Sequence, residues 1–220
     1  ALSLQGMSGV SSIDVIGTVS SADRSGKSKS TEVMKVLEIN DSLGSSNGLT
    51  QVTGGFGTRV EDAQISLGCG DVFKIKAIYE SKNSSSPVIP NLQYTNLLGT
   101  LAIDDVITGV SSGSRARIVS TTGNLIYYIP VEDDVFTDGE SMTSPNATFQ
   151  IISGGINAGS NNITDTFDLD DGQRDQFYDY SRIVRKPGFA NPTHKVLVIF
   201  DRFFTSNGVN PYTVDSYSAA

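Results

Sequence analysis

The chain has 220 residues, enough to bury a core as one large β domain or two smaller ones. Its net charge of -8 argues against a nucleic-acid partner, whose phosphates require a basic face. No apolar run approaches the roughly 20 residues that cross a bilayer, so no membrane partner is expected.

The low charged fraction of 18% and the abundance of Gly, Ser, Thr and Asn favour short strands joined by turns. We therefore predict an all-β fold of small antiparallel sandwich- or barrel-like modules. Cys69, the one cysteine, cannot form an internal disulfide, and its glycine neighbours favour a small buried hydrophobe. His194 is the one histidine, which excludes multi-histidine metal sites, and we expect no cofactor.

The first part of the chain, residues 1–96, alternates strand-like runs with flexible connectors. In residues 71–81 apolar and polar side chains alternate, and this predicts a strand whose wet face carries Lys74 and Lys76. Two connectors lack strand character, a loop at 41–57 and a proline-containing break at 82–90. The other predicted strands of this part are 12–19, 33–39 and 59–67.

The second part, residues 97–153, is predicted to be a small inserted β module with a hairpin turn at 121–124. The third part, residues 154–220, begins with a Gly/Asn hinge and is expected to complete the sheet begun by 58–81. Within it, residues 195–200 are nearly all apolar, which predicts a central strand buried on both faces. The remaining predicted strands are 100–107, 115–120, 124–131, 148–152, 182–186 and 212–214.

The run Gly109-Val110-Ser111-Ser112-Gly113 matches the G-x-S-x-G pattern of a nucleophile elbow. That motif requires a helix after the serine, whereas the residues that follow are β-like, so a hairpin turn is the better interpretation. A hydrolase that combines Ser111, His194 and one Asp is nevertheless kept as the third hypothesis of function.

An acidic cluster, Asp168, Asp170 and Asp171, invites a calcium interpretation. With Gly172 at the sixth position of an EF-hand loop, the first, third and twelfth positions hold residues without carboxylates, so an EF-hand is excluded. An irregular calcium site on the three acids remains open. The competing interpretation is a short helix near 171–179 that Asp170 or Asp171 caps. The expected supports of that helix are Phe177 and Tyr178 in the core, and ion pairs that involve Arg174, Arg182 and Arg185.

The same segment carries a resemblance. The sequence FDLDDGQRDQFYD at 167–179, followed by RIVRK at 182–186, resembles a recurring segment of structural tail and baseplate proteins of tailed bacteriophages. It is most similar to those of contractile-tailed phages of marine bacteria. In that family a proline-rich loop follows, here with Phe189, and then an apolar strand that ends in an aromatic pair, here Phe203 and Phe204. Residues 212–217 also resemble the continuation.

This resemblance implies assembly and not catalysis, since the family has no established catalytic residues to transfer. The expected partners are copies of this chain and other tail or baseplate proteins, within a virion assembled in the host cytoplasm. Exposed side chains such as Phe189, Phe203 and Phe204 would be buried in the assembly. Family members are much longer, so we expect this sequence to be one portion of a larger protein.

The alternative hypothesis is a receptor- or glycan-binding module at the tip of a phage tail. It would use the loops at 41–57 and 82–90, with Tyr94, Tyr127 and Tyr128 as stacking faces.

Overall fold

The structure is a computed structural model that describes residues 29–41, 58–131, 135–174 and 179–205. It is almost entirely β, which confirms the predicted fold class, and its described residues include one 3-10 turn at Thr164–Thr166. The strands are β1 (Lys29–Ile39), β2 (Gln64–Ser66), β3 (Val72–Glu80), β4 (Asn91–Gly99), β5 (Val106–Gly109), β6 (Arg115–Thr122), β7 (Leu125–Pro130), β8 (Ser141–Ser144), β9 (Ala147–Asn157), β10 (Asn161–Asn162), β11 (Phe167–Asp170), β12 (Arg182–Arg185) and β13 (Val196–Thr205).

These strands form two antiparallel sheets and a closed barrel. The four-stranded sheet has the order β1-β13-β3-β10, and the three-stranded sheet has the order β11-β12-β2. The two sheets enclose an apolar core to which Val60, Ile65, Ile183 and Phe200 contribute. The barrel, β4-β7-β6-β5-β8-β9, packs against the other face of the four-stranded sheet.

Strand β13 lies between β1 and β3, at the centre of the four-stranded sheet. Its side chains alternate, so that Val196, Val198 and Phe200 enter the core between the sheets, while Leu197 and Ile199 face the barrel. All five are buried. The prediction of a central strand buried on both faces is therefore confirmed.

The barrel strands extend from Asn91 to Asn157, beyond both ends of the predicted module at 97–153. The predicted hairpin turn is confirmed, because Gly123 has φ +59 and joins the antiparallel pair β6 and β7. The predicted hinge at 154–162 is wrong in part, since β9 continues to Asn157 and β10 pairs with β3. Apolar side chains such as Leu92, Ile107 and Met142 fill the barrel.

Among the described residues 167–174 no helix begins at the acidic cluster, in contrast to the predicted start of a helix near 171–179; residues 175–178 of that segment are not described. Asp168 and Asp170 lie on β11, where residues 167–170 alternate between inward and outward positions. Asp170 and Asp171 each accept a backbone N–H two residues later, from Gly172 and Gln173, as in Asx turns. The same side-chain chemistry that caps helices therefore closes a turn here. Phe177 and Tyr178, the predicted anchors, lie outside the described residues.

The prediction of a wet face on β3 is also wrong in part. Residues 77–79 are all buried, because both faces of the sheet are covered: Ala77 and Tyr79 face the barrel, and Ile78 enters the core between the two sheets. A register shift between β3 and β13 further interrupts the alternation. Lys76 consequently has a side chain that is only 10% exposed. The predicted strands at 12–19 and 212–214 and most of the 41–57 loop lie outside the described residues.

The hydroxyl of Tyr79 is buried in the cluster between the sheet and the barrel and has no hydrogen-bond partner among the residues that the structure describes. We expect Tyr79→Phe to raise the free energy of unfolding by about 1 kcal/mol, since it removes an unsatisfied buried group. Urea denaturation measures the change. In the matched control Tyr94→Phe, the lost hydroxyl donates to the Gly123 carbonyl at 3.0 Å, so stability should fall. A destabilised Tyr79→Phe variant would contradict the expectation.

Candidate functional site

The acidic cluster is neutralised by basic side chains. Both carboxylate oxygens of Asp170 accept hydrogen bonds from Arg174, at 3.0 and 2.8 Å, and these bonds lower the pKa of Asp170. Arg182 approaches the same carboxylate at 3.3 Å, and Lys186 lies 3.5 Å from Asp168. Each acid therefore already has a cationic or backbone partner.

The three carboxylates of the candidate calcium site, those of Asp168, Asp170 and Asp171, each bind a different partner. Within the part of the chain that the structure describes, no three His, Cys, Asp or Glu side chains are placed to hold a metal ion together. Asp168 points to solvent from β11, whereas Asp170 turns toward the arginines. A calcium ion here would have to displace the arginine contacts of Asp170.

The two predicted interaction residues on β12 stabilise the three-stranded sheet. Arg182 is buried and donates to the carboxylate of Asp179 at 2.6 Å and to the side-chain oxygen of Gln64 at 3.3 Å. Arg185 donates to the carbonyl of Asp62 at 3.5 Å. The contacts with Gln64 and Asp62 tie β12 to residues within or next to β2, so these arginines hold the sheet together.

The G-x-S-x-G run forms the turn between the antiparallel strands β5 and β6, which confirms the hairpin interpretation. This turn surrounds the buried carboxylate of Glu140, which accepts hydrogen bonds from the N–H groups of Ser111 and Ser112 at 2.9 and 3.0 Å. The same carboxylate accepts the Ser112 hydroxyl at 2.8 Å and the N–H of Thr137 at 2.7 Å. We call this arrangement the Glu140 cradle.

Ser111 and His194 are not joined by a hydrogen bond in the described residues. Ser111 lies in the barrel turn, while the backbone N–H of His194 contacts Glu80 at the end of β3. Sequence analysis missed Glu140, because nothing in the sequence indicates that its carboxylate reaches the 109–113 turn. In the Glu140 cradle, the serine-rich run stabilises the turn through its hydrogen bonds to the carboxylate.

Burial opposes ionisation of Glu140, but its hydrogen bonds outweigh this effect and lower the pKa of the carboxyl group. The cradle therefore contributes stability above the unfolded-state pKa, and this contribution is lost as the pH falls through the lower folded-state pKa. We expect Glu140→Gln to cost about 2 kcal/mol near neutral pH, with a cost that shrinks on acidification. Urea denaturation of both proteins between about pH 7 and pH 3 measures it. A cost independent of pH would contradict this origin.

A second set of charges lies where the barrel meets the four-stranded sheet. The ammonium group of Lys76 is 2.9 Å from Asp201 Oδ2 and 3.3 Å from Asp104 Oδ1. Asp201 belongs to β13 and is buried, whereas Asp104 belongs to the turn between β4 and β5. Arg117 also reaches the Asp104 carboxylate, at 3.3 Å. We call these four residues the Lys76 network.

An aromatic pair is exposed on the barrel-facing side of the four-stranded sheet. The rings of Phe73 and Phe203 lie 4.6 Å apart, with 44% and 40% of each residue exposed. Phe203 follows Ile199 and Asp201 at two-residue intervals along β13, so it shares their face. Phe189 is also exposed, whereas Phe204 is half-buried. Phe73 is thus an exposed residue that sequence analysis did not single out.

The residues proposed for glycan stacking are engaged elsewhere. Tyr128 is buried in the barrel, and burial raises its pKa to about 12. Tyr127 packs into the cluster between barrel and sheet, and Tyr94 packs edge-on against Phe149. Cys69 is buried, as predicted, and burial raises the pKa of its thiol.

Comparisons with protein-family models, with curated proteins and with solved structures find no match to this chain. Among the described residues, none forms a helix of the length and apolarity needed to cross a membrane.

Proposed function

We propose that this chain is a structural component of a tailed-bacteriophage virion, in the tail or baseplate, that acts through contacts between subunits and not through catalysis. The observation that carries the proposal is the resemblance of residues 167–186 and 196–217 to structural tail and baseplate proteins. Its partners would be copies of itself and neighbouring tail or baseplate proteins, in a symmetric assembly.

Two structural observations support this function. The exposed pair Phe73 and Phe203 is an aromatic surface of the kind that protein interfaces bury. In addition, the polar groups that resembled a site are used within the fold, since Asp170 binds arginines and the backbone N–H of Ser111 binds Glu140 in a turn. A subunit that works by assembly needs a rigid β scaffold and an apolar contact surface, and the described residues supply both.

The proposal is tested on tailed particles purified by density gradient from the source of the sequence. Mass spectrometry should recover peptides of this chain in the particle fraction, and antibodies against it should label tails in electron micrographs. Peptides confined to the particle-free fraction, with no labelled tails, would refute the function. A glycan array probed with the purified chain tests the alternative, because saturable binding to one glycan class would favour a receptor-binding module.

A further inference from the structure

The barrel and the four-stranded sheet meet through two contacts of different character. The first is apolar, where Val119, Tyr127 and Ile129 of the barrel pack against residues such as Ala77 and Leu197. Apolar burial stabilises this contact but has little directional preference. The second contact is the Lys76 network, whose hydrogen bonds and charges require defined distances and angles.

On the sheet side of the network, both oxygens of Asp201 are engaged. Asp201 Oδ2 contacts Lys76, and its other oxygen accepts the backbone N–H of Met34 at 2.9 Å. Met34 has φ +54 and lies where the register between β1 and β13 shifts, so one buried carboxylate fixes both an irregular strand and the lysine. Asp201 therefore joins three strands of the sheet, its own strand β13, β1 through Met34, and β3 through Lys76.

The barrel side is equally fixed. Asp104 has φ +69, a left-handed conformation that non-glycine residues seldom adopt. Its N–H donates to the carbonyl of Ile118 at 2.8 Å, and its carbonyl accepts from Arg117 at 3.1 Å, both on β6. The carboxylate that reaches Lys76 is thus attached firmly to the barrel wall.

From this geometry we propose that Lys76 is a positioning residue that fixes the orientation of the barrel on the four-stranded sheet. Replacing buried ion pairs with apolar side chains often leaves stability unchanged, so their value in some proteins lies in specifying one geometry. The apolar cluster holds the barrel on the sheet, and the Lys76 network selects one angle among those that the cluster allows.

The test measures orientation separately from stability. Nitroxide labels are placed at the exposed positions Thr143 on the barrel and Asp168 on the three-stranded sheet, in a chain with Cys69→Ala. The distribution of distances between the two labels is measured by pulsed electron paramagnetic resonance in the parent protein and in the Asp104→Gly variant. Glycine suits the left-handed φ and removes the carboxylate. We expect a distribution about twice as wide as that of the parent, with a melting temperature within about 4 °C.

A charge-free pair gives a second measurement. Lys76→Met with Asp201→Asn removes both charges, while the Asn carbonyl still accepts the Met34 N–H, and the distribution should widen as for Asp104→Gly. The matched control, Lys195→Met with Glu38→Gln, removes a more exposed ion pair of the same sheet and should keep the parent's width. Parental widths in both test variants would overturn the proposal. The proposal would also be overturned if Asp104→Gly lowered the melting temperature far more than expected and Lys76→Met with Asp201→Asn kept the parent's distance distribution.

Discussion

Replacing Lys76 with methionine is expected to lower the free energy of unfolding by about 3–5 kcal/mol, because it leaves a buried carboxylate without its counter-charge. Asp201 is 4% exposed, and among the described residues the other hydrogen bond of its carboxylate is the one that it accepts from the backbone N–H of Met34. Methionine matches the length of lysine and fills the same space, so the loss would arise from charge and not from a cavity. Urea denaturation at neutral pH measures the change.

Two companion variants separate this cause from general damage. Lys195→Met removes the partner of Glu38 in a pair whose side chains are 25% and 35% exposed, and should cost less than about 1 kcal/mol. Adding Asp201→Asn to Lys76→Met should recover most of the lost stability, since the buried charge is then absent. If the two lysine substitutions lowered the free energy of unfolding equally, or if the double variant recovered none of it, the loss would not arise from breaking a buried ion pair of Lys76.

Lys76 also shows where prediction from sequence fails. The alternation in residues 71–81 identifies the strand, because period two is a local property that needs no knowledge of neighbours. Which face is wet depends on what packs there, and the barrel that covers this face is formed by residues 91–157. The partners of Lys76, Asp104 and Asp201, both lie far from it on its C-terminal side, so no local pattern indicates them.

Strand β11 was missed for a different reason. Residues 167–170 alternate apolar and acidic side chains, which is a strand signal, but four residues are few and the Asp-Asp-Gly sequence that follows also suits a helix start. The side chains made the hydrogen bonds expected of Asp residues, within turns instead of a cap. By contrast, the purely apolar run of β13 admits few alternatives to a central strand, and this prediction succeeded.

In the Glu140 cradle the hairpin could be predicted, but its central carboxylate could not. Gly-Ser repeats favour turns by their backbone freedom, so the 109–113 turn follows from local sequence. That the turn encloses a carboxylate is visible only from the fold, which brings Glu140, next to β8, against the β5–β6 turn. The absence of a side chain at Gly109 is then a requirement of packing.

This requirement gives the second large prediction: Gly109→Ala should lower the free energy of unfolding by about 2–4 kcal/mol. A Cβ atom at Gly109 would lie 2.5 and 2.6 Å from the Glu140 oxygens and would also collide with the Ser112 hydroxyl. The tip of a glutamate side chain can usually move away at little cost. Here four part-buried hydrogen bonds hold it, so movement would break them.

The matched control is Gly70→Ala, whose added Cβ would meet, among the described residues, only the Asp179 carbonyl at 3.7 Å, an ordinary contact. Its effect should stay within about 1 kcal/mol, since both variants lose the same backbone freedom in the unfolded state. A double-mutant cycle identifies the obstacle: in a Glu140→Ala background, Gly109→Ala should cost less than about 1 kcal/mol. If the cost of Gly109→Ala were the same with and without the Glu140 carboxylate, the strain would lie in the backbone of the turn, and the cradle would not explain why glycine occupies this position.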